Sequence, residues 1–125
     1  MEFKNSKSIS LQIADNISEK IINGFFPVGE KIPSVRELAM DMGVNPNTIV
    51  RSYAELQARM IIENKRGIGY FVNENAQSII FEWKRKDFFE NDLPEFVRQM
   101  GVLNLSIEDL KPQIENLLTT STNEN

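Results

Sequence analysis

Residues 33–60 read PSVRELAMDMGVNPNTIVRSYAELQARM. The start of this stretch, Pro33-Ser34-Val35-Arg36-Glu37, has the form of a capping box: the Ser34 hydroxyl can accept from the Glu37 amide while the Glu37 side chain reaches back to the Ser34 amide. A helix that begins here buries Leu38, Ala39 and Met42. Gly43 stops it after about two turns, since glycine enters the left-handed region without steric penalty. Val44 alone separates this stop from the next start, where Asn45 is a favoured N-cap and Pro46, at the first helical position, gives up an amide that has no helical partner anyway. At about 100° per residue, Ile49, Tyr53, Leu56 and Met60 gather on one side of the second helix and Asn47, Arg51, Ala54 and Ala58 lie opposite. The second helix is therefore expected to run to about Met60, with an outward face polar at its start and small beyond.

Upstream, SLQIADNISEKIINGF (residues 10–25) places Ile13, Ile17 and Ile21 in one helical stripe with Ala14, and Gly24 ends it. The following FFPVGEKIPS reads as a turn with one brief strand. Downstream, IIENKRGIGYFV (residues 61–72) has two short apolar or aromatic runs joined through glycine, the pattern of a β-hairpin, with Lys65, Arg66 and Gly67 at its tip. Residues 76–101 return to helical spacing through Ala76, Ile80, Trp83, Phe89, Leu93, Phe96, Val97 and Met100. Lys86 and Asp87 interrupt the stripe, and Pro94 predicts a kink or a fresh start capped by Asp92. A second capping box, Ser106 to Asp109, opens a last short helix, and the polar end TTSTNEN is expected to fray.

The composition narrows the function classes. Hydrophobic residues at 41% and charged residues at 26% describe a globular chain, and 125 residues suffice for one ordinary domain or a small domain with an appendage. No apolar run approaches the roughly 20 residues that span a bilayer, and MEFKNSKS lacks the apolar core of a signal peptide, so a cytoplasmic location without membrane partners is expected. With neither cysteine nor histidine, the chain lacks disulfides, thiol nucleophiles, thiolate zinc sites and imidazole acid–base chemistry. No paired-carboxylate constellation or glycine-rich phosphate loop replaces them. No catalytic activity, metal or cofactor is therefore expected. The net charge of -4 argues against a nucleic-acid partner until its distribution is considered: residues 1–74 carry nine Lys and Arg against nine Asp and Glu, and the acidic excess lies wholly beyond them.

A helix enters the major groove of duplex DNA when its outward face is slim and carries groups that hydrogen-bond to base edges. The second helix of the close pair meets this requirement with Asn47, suited to adenine, and Arg51, suited to guanine, followed by two alanines. Its N-terminal amides suit a phosphate oxygen, as do Ser34 and Arg36 and the tip residues Lys65, Arg66 and Gly67. Taken singly, a capping box is usually a helix start, a KRG tip a solvated turn, and Arg51 a surface residue paired with Glu55 at i+4. Their order along the chain favours the DNA reading. The rival is a winged helix serving as a protein-interaction module without specific DNA binding, since the fold does not dictate the function.

IPSVRELAMDMGVNPNTIVRSYAEL followed by NKRGIGYFV resembles the GntR family of bacterial regulators, with its PS-x-RELA helix, GV turn, recognition helix and RG-x-G-x-[FY]-V wing. The likeness covers residues 9–74. It implies a mainly α fold with a small β-hairpin: a winged helix-turn-helix over residues 1–74 and a short helical dimerisation tail over 75–125. It also implies DNA contacts from Ser34, Arg36, Asn45, Asn47, Thr48, Arg51, Lys65, Arg66 and Gly67. Val50 stands where much of the family has arginine, and this NPNT-x-x-R variant resembles the YtrA-like branch. By that likeness the tail, too short for a ligand-binding or pyridoxal-phosphate enzyme-like domain, pairs two subunits; its apolar residues Ile80, Trp83, Phe89, Leu93, Phe96 and Met100 are the expected interface, and packing against the same subunit's winged helix is the alternative. The expected protein is a homodimeric repressor on an inverted-repeat operator. A small-molecule effector would fit between the winged domain and the tail or at the dimer interface, with no ligand residue identified.

Overall fold

The structure, a computed structural model, describes residues 7–123. It divides into two compact units, one ending at Lys84 and one beginning at Arg85. The first holds α1 (Ile9–Ile22), α2 (Val35–Met42), α3 (Pro46–Ala58), β1 (Ile62–Lys65), β2 (Gly69–Val72) and the start of α4 (Ala76–Asp87). Its core is the periodic set of the sequence: Ile13, Ile17 and Ile21 from α1, Leu38 and Ala39 from α2, Ile49, Tyr53 and Leu56 from α3, with Ile62, Val72, Ala76 and Ile80 closing the other side. Burying each large apolar side chain is worth about 1.5–3 kcal/mol. Ser52 is also buried on α3, its hydroxyl donating to the Ser10 carbonyl at 2.7 Å and the Thr48 carbonyl at 3.1 Å, so a small polar residue joins α3 to α1 without leaving a polar group unpaired.

The hairpin pairs antiparallel in the register Ile62↔Val72, Glu63↔Phe71, Asn64↔Tyr70 and Lys65↔Gly69. The brief strand expected before α2 is present as a bridge from Lys31 to Phe71, flanked by the Ile32 amide donating to the Tyr70 carbonyl at 2.9 Å and the Val72 amide donating to the Glu30 carbonyl at 3.0 Å. Two side-chain placements differ from the periodic reading. Met42 is 37% exposed, because α2 ends there and Gly43 (φ 67°) turns the chain away. Met60 is 64% exposed at φ 67°: α3 closes with the Met60 amide on the Gln57 carbonyl and the Ile61 amide on the Leu56 carbonyl, a Schellman arrangement with methionine in the left-handed place. Ile61, not Met60, fills the core below α3.

The second unit continues α4 past Arg85 into a π-helical turn (Phe88–Asp92), then α5 (Leu93–Val102) and α6 (Ile107–Asn123). Asp92 was expected to cap a new helix at Pro94. Instead it is helical itself and makes no side-chain cap, and the Leu93 amide reaches back to the Phe88 carbonyl. The widened turn accommodates a proline that cannot donate and whose ring crowds the preceding turn. The Ser106–Asp109 capping box forms in both directions, at 2.9 and 3.2 Å. α6 is longer than expected, extending through Thr119 and Thr120 to Asn123, so most of the segment expected to fray is helical; the last two residues lie outside the described ones. Among the described residues no helix is long and apolar enough to cross a membrane, and no acidic cluster is placed to hold a metal ion.

Within the first unit Asp15 of α1 is paired with Lys7 at 2.8 Å and with Lys84 of α4. Partial burial pushes its pKa up, but the two ammonium groups outweigh this and hold it below the ordinary 3.8. A depressed pKa contributes stability that is complete above 3.8 and is lost as pH falls through the folded-state value. Asp15→Asn is therefore expected to be less stable than the wild type to urea at pH 7, with the two stabilities converging as pH is lowered below 3.8.

Candidate nucleic-acid interface

The exposed side of α3 carries Asn47 and Arg51, then Ala54 and Ala58, and Thr48 is half-buried beside them. The helix starts on Asn45, whose side-chain oxygen accepts from the Asn47 amide at 2.8 Å. α2 starts on Ser34, whose hydroxyl accepts from the Glu37 amide at 3.1 Å while the Glu37 carboxylate accepts from the Ser34 amide at 2.8 Å. Those hydrogen bonds hold the Glu37 pKa below the usual carboxylate value, with Lys31 adding a smaller electrostatic contribution. Ser34 and Asn45 thus use an acceptor oxygen to fix a helix start, and their donor hydrogens remain for a ligand.

Arg51 was weighed against a simple ion pair with Glu55. Glu55 is instead engaged by Arg59 at 2.6 Å, and the Arg59 guanidinium lies 4.0 Å from the ring centre of Trp83. Among the described residues Arg51 has no ion-pair partner, and neither have Lys31, Arg36, Lys65 and Arg66. Arg36, Arg51, Lys65 and Arg66 are also exposed. At the hairpin tip the Ile68 amide donates to the Lys65 carbonyl at 2.8 Å and Gly67 has φ 78°, the left-handed third position that a type II turn reserves for glycine.

Tyr53 joins the parts. Its hydroxyl donates to the Pro33 carbonyl at 2.6 Å, directly before the Ser34 cap, and its ring meets Tyr70 of β2 edge-on with centroids 4.8 Å apart. α3, the start of α2 and the wing are therefore fixed to one another at a single buried phenol. Burial pushes its pKa well above the ordinary 10, with Tyr70 and Glu37 adding to the effect, so it stays a neutral donor. The sequence marks Tyr53 as core but not as a hydrogen-bonding post. It gives no sign of Lys31, which reaches the wing only through the pairing of its segment with β2.

The residues expected to pair subunits separate. Ile80 is 2% exposed in the first unit's own core and is corrected out of that set, since a side chain already enclosed there has no surface to offer. Trp83 is half-buried against the same core, between Arg59 and Lys84. In the second unit Phe89 and Phe96 are exposed, and Leu93 and Met100 are half-buried.

Two close helices with a free outward face, and a hairpin wing beside them, define a winged helix-turn-helix. Residues 9–72 match the bacterial regulatory proteins of the gntR family, and the chain belongs to that family. It is 43% identical to the HTH-type transcriptional regulator YhcF of Bacillus subtilis over 87% of this chain and 88% of that one. It is 32% identical to the HTH-type transcriptional repressor YtrA of the same organism over 91% and 87%. A crystal structure of a GntR-family transcriptional regulator from Bacteroides thetaiotaomicron superposes with a TM-score of 0.77 at 37% identity, covering 91% of this chain and 99% of that one. The protein is a DNA-binding transcription regulator.

Replacing Tyr53 by Phe keeps the edge contact with Tyr70 but leaves the Pro33 carbonyl without its donor. A loss of about 1–3 kcal/mol in urea unfolding is expected, with DNA affinity also lowered because the start of α2 is no longer held against α3.

Proposed function

We propose that the protein is a repressor that binds an inverted-repeat operator as a homodimer, with Asn47 and Arg51 at base edges in the major groove. Ser34, Arg36, Asn45, Thr48, Lys65, Arg66 and Gly67 hold the flanking phosphates and sugars. The observation that carries this reading is the exposed guanidinium of Arg51, left without an acidic partner because Glu55 is committed to Arg59. A surface arginine in a merely structural role would take the carboxylate one turn away, whereas one that reads guanine must keep its fork open. The repressor sense is supported by the YtrA relative, which is a transcriptional repressor.

Pairing is supported by the second unit. Among the described residues none from Arg85 onward is buried, yet Phe88, Phe89, Phe96, Val97, Leu103, Ile114, Leu117 and Leu118 are exposed there. An apolar surface of this extent on so short a segment is the mark of an interface. A second copy of the chain is its simplest occupant, and two-fold symmetry then sets half-sites about 10 bp, or a multiple of it, apart.

Arg51→Ala is expected to weaken binding to a duplex spanning the protein's own promoter by about 1–3 kcal/mol in a mobility-shift assay. Circular dichroism and native mass should stay unchanged; undiminished binding would remove α3 as the reading helix. Phe96→Asp is expected to shift the mass in light scattering from twice 14.4 kDa to the single chain while the winged unit keeps its helical signal. A variant that remained dimeric would place the interface elsewhere.

A further inference from the structure

We propose that Arg59 and Trp83 are positioning residues for the reading of DNA: the indole holds the Arg59 guanidinium on Glu55, and this keeps Glu55 from capturing Arg51. The proposal rests on the reading of α3 given above and assigns neither residue a contact with DNA. Arg51, Glu55 and Arg59 follow one another at four-residue intervals, so Glu55 stands one turn from each arginine on the same stripe of α3. A carboxylate so placed has two candidate partners, and the arginine that takes it is withdrawn from any other ligand. In the structure that arginine is Arg59, whose Nε donates to Glu55 Oε2 at 2.6 Å.

Two features decide between the arginines. Within a helix an acid followed four residues later by a base is better ordered than the reverse, which favours Glu55 with Arg59 over Arg51 with Glu55. That preference is slight, since exposed ion pairs are worth little. Trp83 adds the second feature. The Arg59 guanidinium carbon lies 4.0 Å from the centre of its ring, close enough for the ring face to attract the cation. The ring is itself fixed: it packs half-buried against the core of the first unit, and its other cation, Lys84, at 4.1 Å, is committed to Asp15 of α1. Arg59 thus satisfies a carboxylate and an aromatic face from one position. Arg51 has no such ring among the described residues and would bring Glu55 the charge alone. A helix with no residue assigned to DNA, α4, in this way keeps the reading face of α3 open.

The test is a set of variants of the full chain, each titrated against a duplex spanning the protein's own promoter and checked for helical signal by circular dichroism. Arg59→Met keeps an apolar stem against Trp83 and frees Glu55. It should weaken specific binding about twofold for each bound chain, the worth of one helical ion pair, with the helical signal unchanged. Glu55→Gln, alone or combined with Arg59→Met, should bind at least as tightly as the wild type. In an Arg51→Ala background Arg59→Met should have no further effect, because Glu55 then has no arginine to capture. Trp83→Leu should weaken binding in the same sense, and Glu55→Gln should cancel that loss too. A loss in Arg59→Met that survives Glu55→Gln would overturn the proposal and make Arg59 a contact to DNA in its own right. A loss that persists in full in the Arg51→Ala background would overturn it in favour of a general repulsion between Glu55 and the phosphates. Unchanged affinity for Arg59→Met, in a preparation where Arg51→Ala does lose specific binding, would overturn it and leave the reading of α3 intact, whereas full specific binding by Arg51→Ala would overturn both. Unchanged binding by Trp83→Leu with its helical signal intact would overturn the part given to the indole.

Discussion

The arrangement of the winged unit depends on the hydrogen bond from Tyr53 to the Pro33 carbonyl. A helix-turn-helix with a wing is three short pieces that must be presented to one ligand at fixed separations, and none of them is long enough to be stable alone. Apolar packing brings them together but is tolerant of small slides. The phenol is directional: one end donates to the residue before the α2 cap, and the ring edge abuts Tyr70 in the strand that leads out of the wing tip. Because Tyr70 also accepts the Ile32 amide through its carbonyl, the same strand is held to the segment carrying Lys31. An error at Tyr53 would move α2, the wing and Lys31 relative to α3 together.

Charge is distributed to the same end. The winged unit has no excess of basic residues, so its attraction for a polyanion has to come from which cations are left without acids. Asp15 takes Lys7 and Lys84, and Glu55 takes Arg59, all away from the outward start of α3. Lys31, Arg36, Arg51, Lys65 and Arg66 have no such partners among the described residues. Exposed ion pairs contribute little to stability, with values near 0–1 kcal/mol. Leaving five cations unpaired therefore costs the fold little and makes them available for phosphates. A modest local field of this kind also explains how a chain of net charge -4 remains a DNA-binding protein.

The parts legible in the sequence are those whose signal is local and chemical. Ser34 with Glu37, Asn45 with Pro46, and Ser106 with Asp109 declare helix starts through side chains that satisfy amides within three residues, and all three form as written. Gly43 and Gly67 announce left-handed turns because a Cβ penalises them. What was illegible lacks such a marker. Met60 takes a left-handed conformation at the end of α3 with no glycine to signal it, so the stripe seemed to continue one residue too far. Ile80 had the right period, but a periodic stripe does not say which surface covers it, and the first unit's own core does. Lys31 acquires its place only when its segment pairs with β2 more than thirty residues later and Gly69 leaves room for its stem, a relation that no window of sequence contains.

The second unit carries the last step. Its helices expose apolar residues on both α5 and α6, and water bears the cost of that surface for as long as the unit stands by itself. The phosphate contacts proposed for the winged unit are only a handful, enough for weak, salt-sensitive association. In the proposed dimer these two insufficiencies resolve each other. Covering the apolar surface supplies the free energy of pairing, and pairing makes the second half-site contact intramolecular, so that affinity rises with effective concentration and not with added basic residues. Under that arrangement the acidic excess beyond residue 74 is an asset: it keeps the pairing segment off the phosphate backbone and leaves the winged faces as the part of the molecule that DNA attracts.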